Sequence, residues 1–546
     1  MKRLSSAMAA ALLLVAGLVQ AGEGHDHDHG PVDLGKLGKV TFRVSCGGAQ
    51  KDFSRAVAMM HSFWYYEAEK AFQQIARAHP RCAMAHWGVA MANYHPLWAP
   101  PAAGELGRGR AAAEKAMAMK GGNARERGYI EAIHAFYADA DKVDHATRAS
   151  RYEEGMAKVA AANPRDREAQ IFNALAILGT ASPNDKTYAK QKKAAEILNK
   201  ILPAQPEHPG VAHYIIHSYD YPQLASMALQ AARTYAKIAP GSPHALHMPS
   251  HIFTRLGLWD ESISSNTASA EKARRYIRQL NPNLVSFDEL HAIDYLVYAH
   301  LQQADDEKAK ALVDQMIAAE KPVLDLNNFA AAYAYAAAPV RYALERRMWS
   351  DAARLQLRPS SFPWKTFPAM EAIHHFGRAI GGARSGDLNT AKAALDRLTE
   401  IQSALADQKN RYWAEQVEIQ RLAAQAWLAH AAGLRDEGLR LMRAAADLED
   451  TTEKHPVTPG PAIPARELLA EMLLEEGKAA EALTEAELVL TVSPGRYNAV
   501  SLAARAAEQA GDRQKAEEHY RALVGLAKGG ATRPELQKAR TFVAGR

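Results

Sequence analysis

Cysteine is scarce in this chain of 546 residues, which has two, and they form no CxxC pair. P-loop, GxSxG and dinucleotide-binding glycine motifs are also missing. The sequence therefore gives no motif for nucleotide binding, serine-hydrolase chemistry or dithiol redox chemistry. Neither sign of charge dominates, because 66 basic and 61 acidic residues are spread along the whole length. Without a basic face, we expect no nucleic-acid partner.

Long apolar runs are missing as well, apart from a short one at the N-terminus. Residues 1–21 begin with Lys2 and Arg3, continue with an apolar stretch from Ala7 to Val19, and end in small residues at Ala21. This order is typical of a cleavable signal peptide. The stretch is shorter than the ~20 residues that a membrane-spanning helix needs. We therefore expect a periplasmic or secreted protein that does not span the membrane.

The two cysteines are Cys46 and Cys82, placed before the first and third predicted helices. In an exported protein with two cysteines, a disulfide between them is the expected state. On the loop-entropy model it would stabilise the N-terminal end of the chain by ~3 kcal/mol. The alternative is a pair of buried free thiols.

From Cys46 onward the chain reads as amphipathic helices with a recurring unit of 34 residues. Gly477 and Gly511 are 34 residues apart, as are Ala482 and Ala516. Glycine allows a tight turn between helices, and a small residue lets the second helix approach the first. The pattern resembles the tetratricopeptide repeat (TPR) family. That resemblance implies an all-α solenoid of about ten helix pairs in a right-handed superhelix.

Proline-rich breaks and composition divide the chain. The expected order is a signal peptide (1–21), a flexible leader with histidine and glycine (22–45), an N-terminal repeat array (46–354), an elbow (355–368) and a C-terminal repeat array with a capping helix (369–546). Residues 451–464 are a second proline-rich elbow within one superhelix. Repeat boundaries are less regular in 96–164 and 264–290.

Histidines recur in the repeat register. His213 and His217 are i, i+4 on one predicted helix, and His247 and His251 stand 34 residues further on. Each pair shares a helix face. In the TPR family these helix positions line the concave groove and contact ligands. The resulting candidate metal ligands are His213, His217, His244, His247, His251, His291 and Asp294, with Tyr298 as a further groove residue.

Neutral imidazoles in facing pairs suit one transition-metal ion, and zinc or copper is the expected cofactor. Neither pair has the glutamate of an HExxH motif, so zincin-type peptidase chemistry is not supported. The alternatives are that these histidines pack as polar core residues or bind a peptide. Pro249 lies between His247 and His251, and we expect it to bend the helix there.

Three weaker patterns remain. His61 and His95 are also 34 residues apart, within an aromatic stretch for which core packing is the favoured interpretation. The leader sequence HDHDH could capture metal or be merely histidine-rich. At the C-terminal groove positions the charges are mixed, which is typical of a protein-binding surface or a solvated helix; these residues are Glu467, Glu471, Ser501 and Arg505.

Three functions follow as hypotheses. The first is an exported TPR scaffold that engages a protein or peptide partner and carries a histidine-lined metal site. The second is a metal-dependent enzyme that uses the same histidines. The third is a structural adaptor without metal. A looser resemblance to secreted bacterial TPR proteins with similar HxxxH blocks implies no activity, because fold does not fix function.

Overall fold

The chain folds into successive α-helices. The structure is a computed structural model, and it describes residues 34–97, 100–318, 321–324, 329–528 and 531–545. The predicted signal peptide and the HDHDH sequence lie outside these residues. Among the described helices, none is long and apolar enough to cross a bilayer.

The helices before the histidine-rich region are α1 (Gln50–His61), α2 (Tyr65–Ala78), α3 (Ala83–Ala92), α4 (Ala103–Ala118), α5 (Ala124–Tyr137), α6 (His145–Ala162), α7 (Arg167–Gly179) and α8 (Ala189–Ile201). The central helices are α9 (Pro209–Tyr219), α10 (Leu229–Ile238), α11 (Pro243–His247), α12 (Pro249–Arg255), α13 (Trp259–Leu280), α14 (Phe287–Gln302), α15 (Asp306–Ala318), α16 (Phe329–Glu345) and α17 (Trp349–Ala353).

The C-terminal helices are α18 (Pro368–Ser385), α19 (Leu388–Asp407), α20 (Arg411–Ala431), α21 (Arg435–Glu449), α22 (Ala465–Glu475), α23 (Ala479–Val492), α24 (Tyr497–Gln509), α25 (Arg513–Leu526) and α26 (Pro534–Ala544). One parallel pair of two-residue strands, β1 (Val285–Ser286) and β2 (Val323–Leu324), joins the segments that precede α14 and follow α15.

The helices form two layers. The inner helices are buried on nearly every side, and in α9 every residue from Pro209 to Tyr219 is buried. The outer helices bury one stripe only, as in α10, where Ala231, Ala232, Tyr235 and Ile238 face inward. This difference gives a solenoid of inner and outer helices, and the predicted all-α repeat fold is confirmed.

The disulfide between Cys46 and Cys82 is present, with a Cα–Cα distance of 5.3 Å, so this prediction is confirmed. The expectation of a flexible leader is wrong for residues 34–45. Phe42 is fully buried, with ring centroids 5.3 Å from Trp87 and 5.0 Å from Tyr129. This aromatic burial offsets the entropy cost of ordering the segment.

The C-terminal repeats fold back on the central ones. The indole nitrogen of Trp259 donates to the carbonyl of Gly495 at 3.1 Å. The backbone N–H of Tyr497 donates to Oε1 of Gln302 at 2.9 Å. The central and C-terminal repeats therefore contact one another at the centre of the molecule. In an open solenoid the same helix faces would be exposed to solvent.

The second predicted elbow, residues 451–464, passes through that central space. The hydroxyl of Tyr333 on α16 donates to Oγ1 of Thr458 at 2.7 Å, and both groups are buried. The first predicted elbow, 355–368, connects α17 to α18. The segment 451–464 is thus part of the interior of the protein rather than a surface connection.

Candidate metal centre

Six histidines from the central repeats gather into two triads. The first triad is His213, His217 and His244, and the second triad is His247, His251 and His291. Within each triad the possible ligand atoms lie within 4.8 Å of one another, and every member is buried. Each triad takes an i, i+4 pair from one inner helix and its third member from the next inner helix. The sequence predicted one joint cluster, whereas the structure divides it into two.

Pro249 does not separate the pair that flanks it. Met248, between α11 and α12, has helical backbone angles (φ −51°, ψ −36°), so the two helices continue one another. Proline is tolerated in the first turn of a helix, where no backbone donor is needed. His247 and His251 therefore keep helical spacing and stay on one face.

In the second triad, fixed acceptors set the position of the imidazole proton. Nδ1 of His247 donates to Oδ1 of Asn266 at 2.6 Å, and the Asn266 amide nitrogen donates to the Ser262 carbonyl at 2.8 Å. Nδ1 of His251 donates to Oδ2 of Asp220 at 2.9 Å. A neutral histidine carries one ring proton, so Nε2 of both rings is a bare acceptor.

These two bare nitrogens face one another at 3.0 Å. Tyr295 does not supply the missing proton, since its hydroxyl donates to the carbonyl of Thr458 at 3.1 Å. Two buried lone pairs at this distance repel unless a cation lies between them. Ligands of a tetrahedral ion with metal–nitrogen bonds of ~2.0 Å lie about 3.3 Å apart. The arrangement therefore has nearly the spacing of a metal site.

The first triad has a similar arrangement around His213. Nδ1 of His213 donates to the backbone carbonyl of His61 at 2.7 Å, which leaves Nε2 bare. That atom lies 3.1 Å from Nε2 of His217 and 3.2 Å from Nε2 of His244. One lone pair cannot accept two good hydrogen bonds. Burial lowers the pKa of His213 to about 3, so the ring is neutral and able to bind metal.

Asp220 links the second triad to segment 451–464. Its carboxylate accepts from His251, from Nε of Arg255 at 2.9 Å and from Nζ of Lys454 at 2.9 Å. Burial opposes its charge, but Lys454 and Arg255 together hold the pKa of Asp220 well below its usual range. The ionised carboxylate fixes the orientation of the His251 ring. This is the outer support that metal-binding histidines commonly have.

A third group, His61, Glu168 and His208, has metal-like spacing but complete hydrogen bonding. Nδ1 of His208 accepts from the backbone N–H of Val211 at 3.3 Å, so its Nε2 donates to Glu168 at 2.9 Å. Nε2 of His61 lies 3.1 Å from the other oxygen of Glu168, and its Nδ1 lies 2.9 Å from the Tyr214 hydroxyl. Donors face acceptors throughout. This group is explained as a buried polar network.

Asp294, the predicted carboxylate ligand, belongs to neither triad. Its Oδ1 lies 3.6 Å from Nε of Arg341, and burial raises the pKa of Asp294 to about 6 against the lowering effect of Arg341. Tyr298, one turn further along α14, accepts a hydrogen bond from Arg496 at 3.3 Å. The third central repeat thus places acidic and phenolic groups beside arginines where the first two place histidines.

Of the C-terminal groove residues, Glu467 and Glu471 are buried, so the solvated-helix interpretation is wrong for these two. Glu467 pairs with Arg496, and its Oε1 accepts from Nη2 at 3.1 Å. Glu471 lies 3.2 Å from Nε of Arg347. Both glutamates are buried because the C-terminal repeats fold back on the central helices. Ser501 is buried, and Arg505 is half-buried on α24.

Two cavities border the centre. The larger, of about 500 Å³, lies between segment 451–464 and α20 and is lined by Tyr412 and Trp413. The smaller, of about 50 Å³, reaches His244 and is lined by Phe63 and His95. His95 is itself buried. The first triad therefore has a small space beside one of its rings.

The groups that orient the rings were not among the residues predicted from the sequence. Asp220 follows His217 by three residues and could have been suspected from that spacing. Asn266 and Lys454 have no local signal, because they reach the site from α13 and from segment 451–464. Glu168 is also buried beside His208 through a contact between distant helices.

Comparisons with known proteins give no family. No protein-family model matches the chain, and no curated protein matches it. Among solved structures, yeast Tom70 is 12% identical with a TM-score of 0.34, over 91% of this chain and 95% of the other. A human IFIT1 dimer with PPP-AAAA is 13% identical with a TM-score of 0.38, over 86% and 89%. These values are too low to transfer a fold, partner or ligand to this chain.

Proposed function

We propose that the chain is an exported helical-repeat protein that binds a late transition-metal ion through buried histidines. The observation that carries the proposal is the contact between Nε2 of His247 and Nε2 of His251 at 3.0 Å. Both nitrogens are bare because Asn266 and Asp220 receive the other ring protons. A bound cation turns this repulsion into coordination.

The donor set favours zinc or copper. Each triad offers three imidazoles and no thiolate or carboxylate. Imidazole suits zinc, copper and nickel, whereas magnesium, calcium and manganese prefer oxygen ligands. Burial lowers the pKa of all six histidines, so they are neutral near pH 7, which is the protonation state that binds metal.

The test is metal analysis of the full chain, purified without an affinity tag. A background variant with His25, His27 and His29 changed to alanine removes the leader histidines. After dialysis against zinc and then against buffer, we expect stoichiometric zinc and a melting temperature that falls on chelation. His251→Gln should reduce both effects, and His374→Gln, a buried histidine outside the triads, should not. Protein that retains no zinc and melts alike with and without chelator would contradict the proposal.

A second candidate is a metal-dependent enzyme. Three protein ligands leave a fourth coordination position open, as in catalytic zinc sites. The cavity beside His244 offers room for a small molecule next to the first triad. If the fourth position is open, azide added to the copper-loaded background variant should bind the ion and change the copper spectrum. An unchanged spectrum at saturating azide would indicate a closed site with a structural role.

The periplasmic or secreted location and a protein or peptide partner stay parts of this proposal. A peptide in the inner groove is disfavoured, because Tyr298 and Glu467 already bind Arg496 of the same chain. The cavity at Tyr412 and Trp413 is the better candidate for such a partner. Fractionation of cells that express the full chain tests the location, since the mature protein should begin near residue 22 in the exported fraction.

A further inference from the structure

The two triads are equivalent positions of neighbouring repeats. His213 and His217 occupy the same helix positions as His247 and His251, 34 residues later. The third member of each triad comes from the next inner helix, three residues before the position that matches the first histidine of the pair. In the first triad His244 precedes His247 by three residues, and in the second His291 precedes Asp294 by three. One structural rule therefore generates both triads.

The geometry of the two triads agrees. The ring centroids of the i, i+4 pair are 4.8 Å apart in the first triad and 4.9 Å apart in the second. The Nε2 atoms of those pairs are 3.1 Å and 3.0 Å apart. In both triads the first histidine of the pair donates Nδ1–H to a fixed oxygen, from His61 or from Asn266. The structure thus presents the i, i+4 histidine pair in the same arrangement twice.

We infer that the chain holds two transition-metal ions, one in each triad, as a pair of neighbouring tri-histidine sites. This inference rests on the proposed function and extends it from one ion to two. Each ion is held by two repeats, since every triad joins two successive inner helices.

The two sites are close to one another. The ring centroids of His217 and His251 are 6.1 Å apart, and those of His244 and His247 are 6.0 Å apart. With metal–nitrogen bonds of ~2.0 Å, an ion lies about 3 Å from the centre of each ring that binds it. The two ions are therefore at most about 12 Å apart on those bond lengths. At this range two copper(II) ions broaden one another's magnetic resonance lines.

The series ends after two sites for a chemical reason. In the third central repeat the pair positions are Asp294 and Tyr298, and the guanidinium of Arg341 lies beside Asp294. A second guanidinium, that of Arg496, donates to the Tyr298 hydroxyl. Fixed cations already occupy this place, so a third metal ion is not expected there.

The experiment counts ions per chain in the full-length background variant that lacks the leader histidines. It compares this protein with His217→Gln, which changes the first triad, and His251→Gln, which changes the second. His374→Gln is the control, because His374 is buried outside both triads and outside the hydrogen-bonded group that includes His61. We expect about two zinc ions per chain in the background and control proteins and about one in each triad variant. Both triad changes together should leave none.

Copper(II) gives an independent readout. The background protein should show a resonance spectrum broadened by a neighbouring ion, and each triad variant should show the sharp spectrum of one isolated ion. If His217→Gln fails to fold by circular dichroism, His244→Gln empties the same triad. Line broadening in the background protein, in which both triads are intact, tests the paired sites in either case.

The outcomes separate the two claims. Suppose that the protein holds one ion per chain, loses it in only one triad variant and shows no line broadening. This result overturns the paired sites and leaves the proposed function standing. No retained ion in any protein overturns both. Two ions that persist in both triad variants, or one ion lost from His374→Gln, would place metal elsewhere and overturn the assignment.

Discussion

Replacement of Asp220 by asparagine tests the support of the second triad. The variant keeps the size of the side chain but removes a buried negative charge between His251, Arg255 and Lys454. It also leaves one side-chain oxygen, where the carboxylate has two, to accept from His251, Arg255 and Lys454. We expect local destabilisation and weaker metal binding together.

The magnitude follows from the two cations. Burial lowers the pKa of Lys454 to about 8, so this lysine can become neutral near pH 7 at a cost of about 1.4 kcal/mol. Arg255 cannot lose its proton. Its guanidinium keeps the hydrogen bond to the backbone carbonyl of Asp220 at 2.9 Å. It loses the charged hydrogen bond to the side-chain carboxylate, worth about 1.5–2 kcal/mol. The sum is about 3 kcal/mol, at the lower end of the range for breaking a buried ion pair.

The assay is hydrogen exchange of the metal-free protein at pH 7, because a long repeat array need not unfold in one step. Backbone amides of α12 and of segment 451–464 should exchange about a hundredfold faster in Asp220→Asn. Zinc affinity should fall by tenfold or more. Asp260→Asn, which removes an exposed ion pair with Lys528, should change exchange only slightly. A change below threefold at α12 would refute the argument.

Three further predictions concern other parts of the molecule. Replacing Cys46 and Cys82 by serine should destabilise the N-terminal repeats by about 3–4 kcal/mol, seen as faster exchange in α1–α3; unchanged exchange there would show that the disulfide contributes nothing. Burial lowers the pKa of His95 to about 4 and of His374 to about 3. Folded protein then binds fewer protons than unfolded protein, so stability is full above pH 6.5 and falls by up to about 1.4 kcal/mol per pH unit for each histidine as the pH drops towards 4; a melting temperature constant from pH 7.5 to 5 would contradict this. Arg496→Met should weaken the packing of the C-terminal repeats on the central ones, because it removes the contacts with Tyr298 and Glu467. Hydrogen exchange should become faster in α24–α26 and change little in α1–α3.

The repeat fold could be predicted because its signals are local. Gly257, Gly477 and Gly511 stand at the turns between helices and have φ between 68° and 81°, which glycine adopts without strain. The helical period and the 34-residue register gave the positions of the histidine pairs. The disulfide could be predicted because the chain has two cysteines and begins like an exported protein.

The grouping of the histidines could not be predicted in full. His244 follows His213 by 31 residues, whereas His291 follows His247 by 44, because α13 is a long helix of 22 residues. The burial of Glu467 depends on Arg496 and Tyr298, which meet only when distant repeats approach one another. Such contacts leave no trace in a local pattern of apolar residues.

Burial of the second triad would slow the dissociation of a bound ion. His247, His251 and His291 are each no more than 2% exposed, and segment 451–464 anchors beside them through Lys454. With the triads occupied as proposed, an ion leaves the second one only when neighbouring repeats separate. Its residence time is then set by the opening rate of the solenoid rather than by the affinity of three imidazoles. The metal content of the mature protein would record which ion was abundant while the chain folded, and later changes in the surrounding medium would alter it slowly.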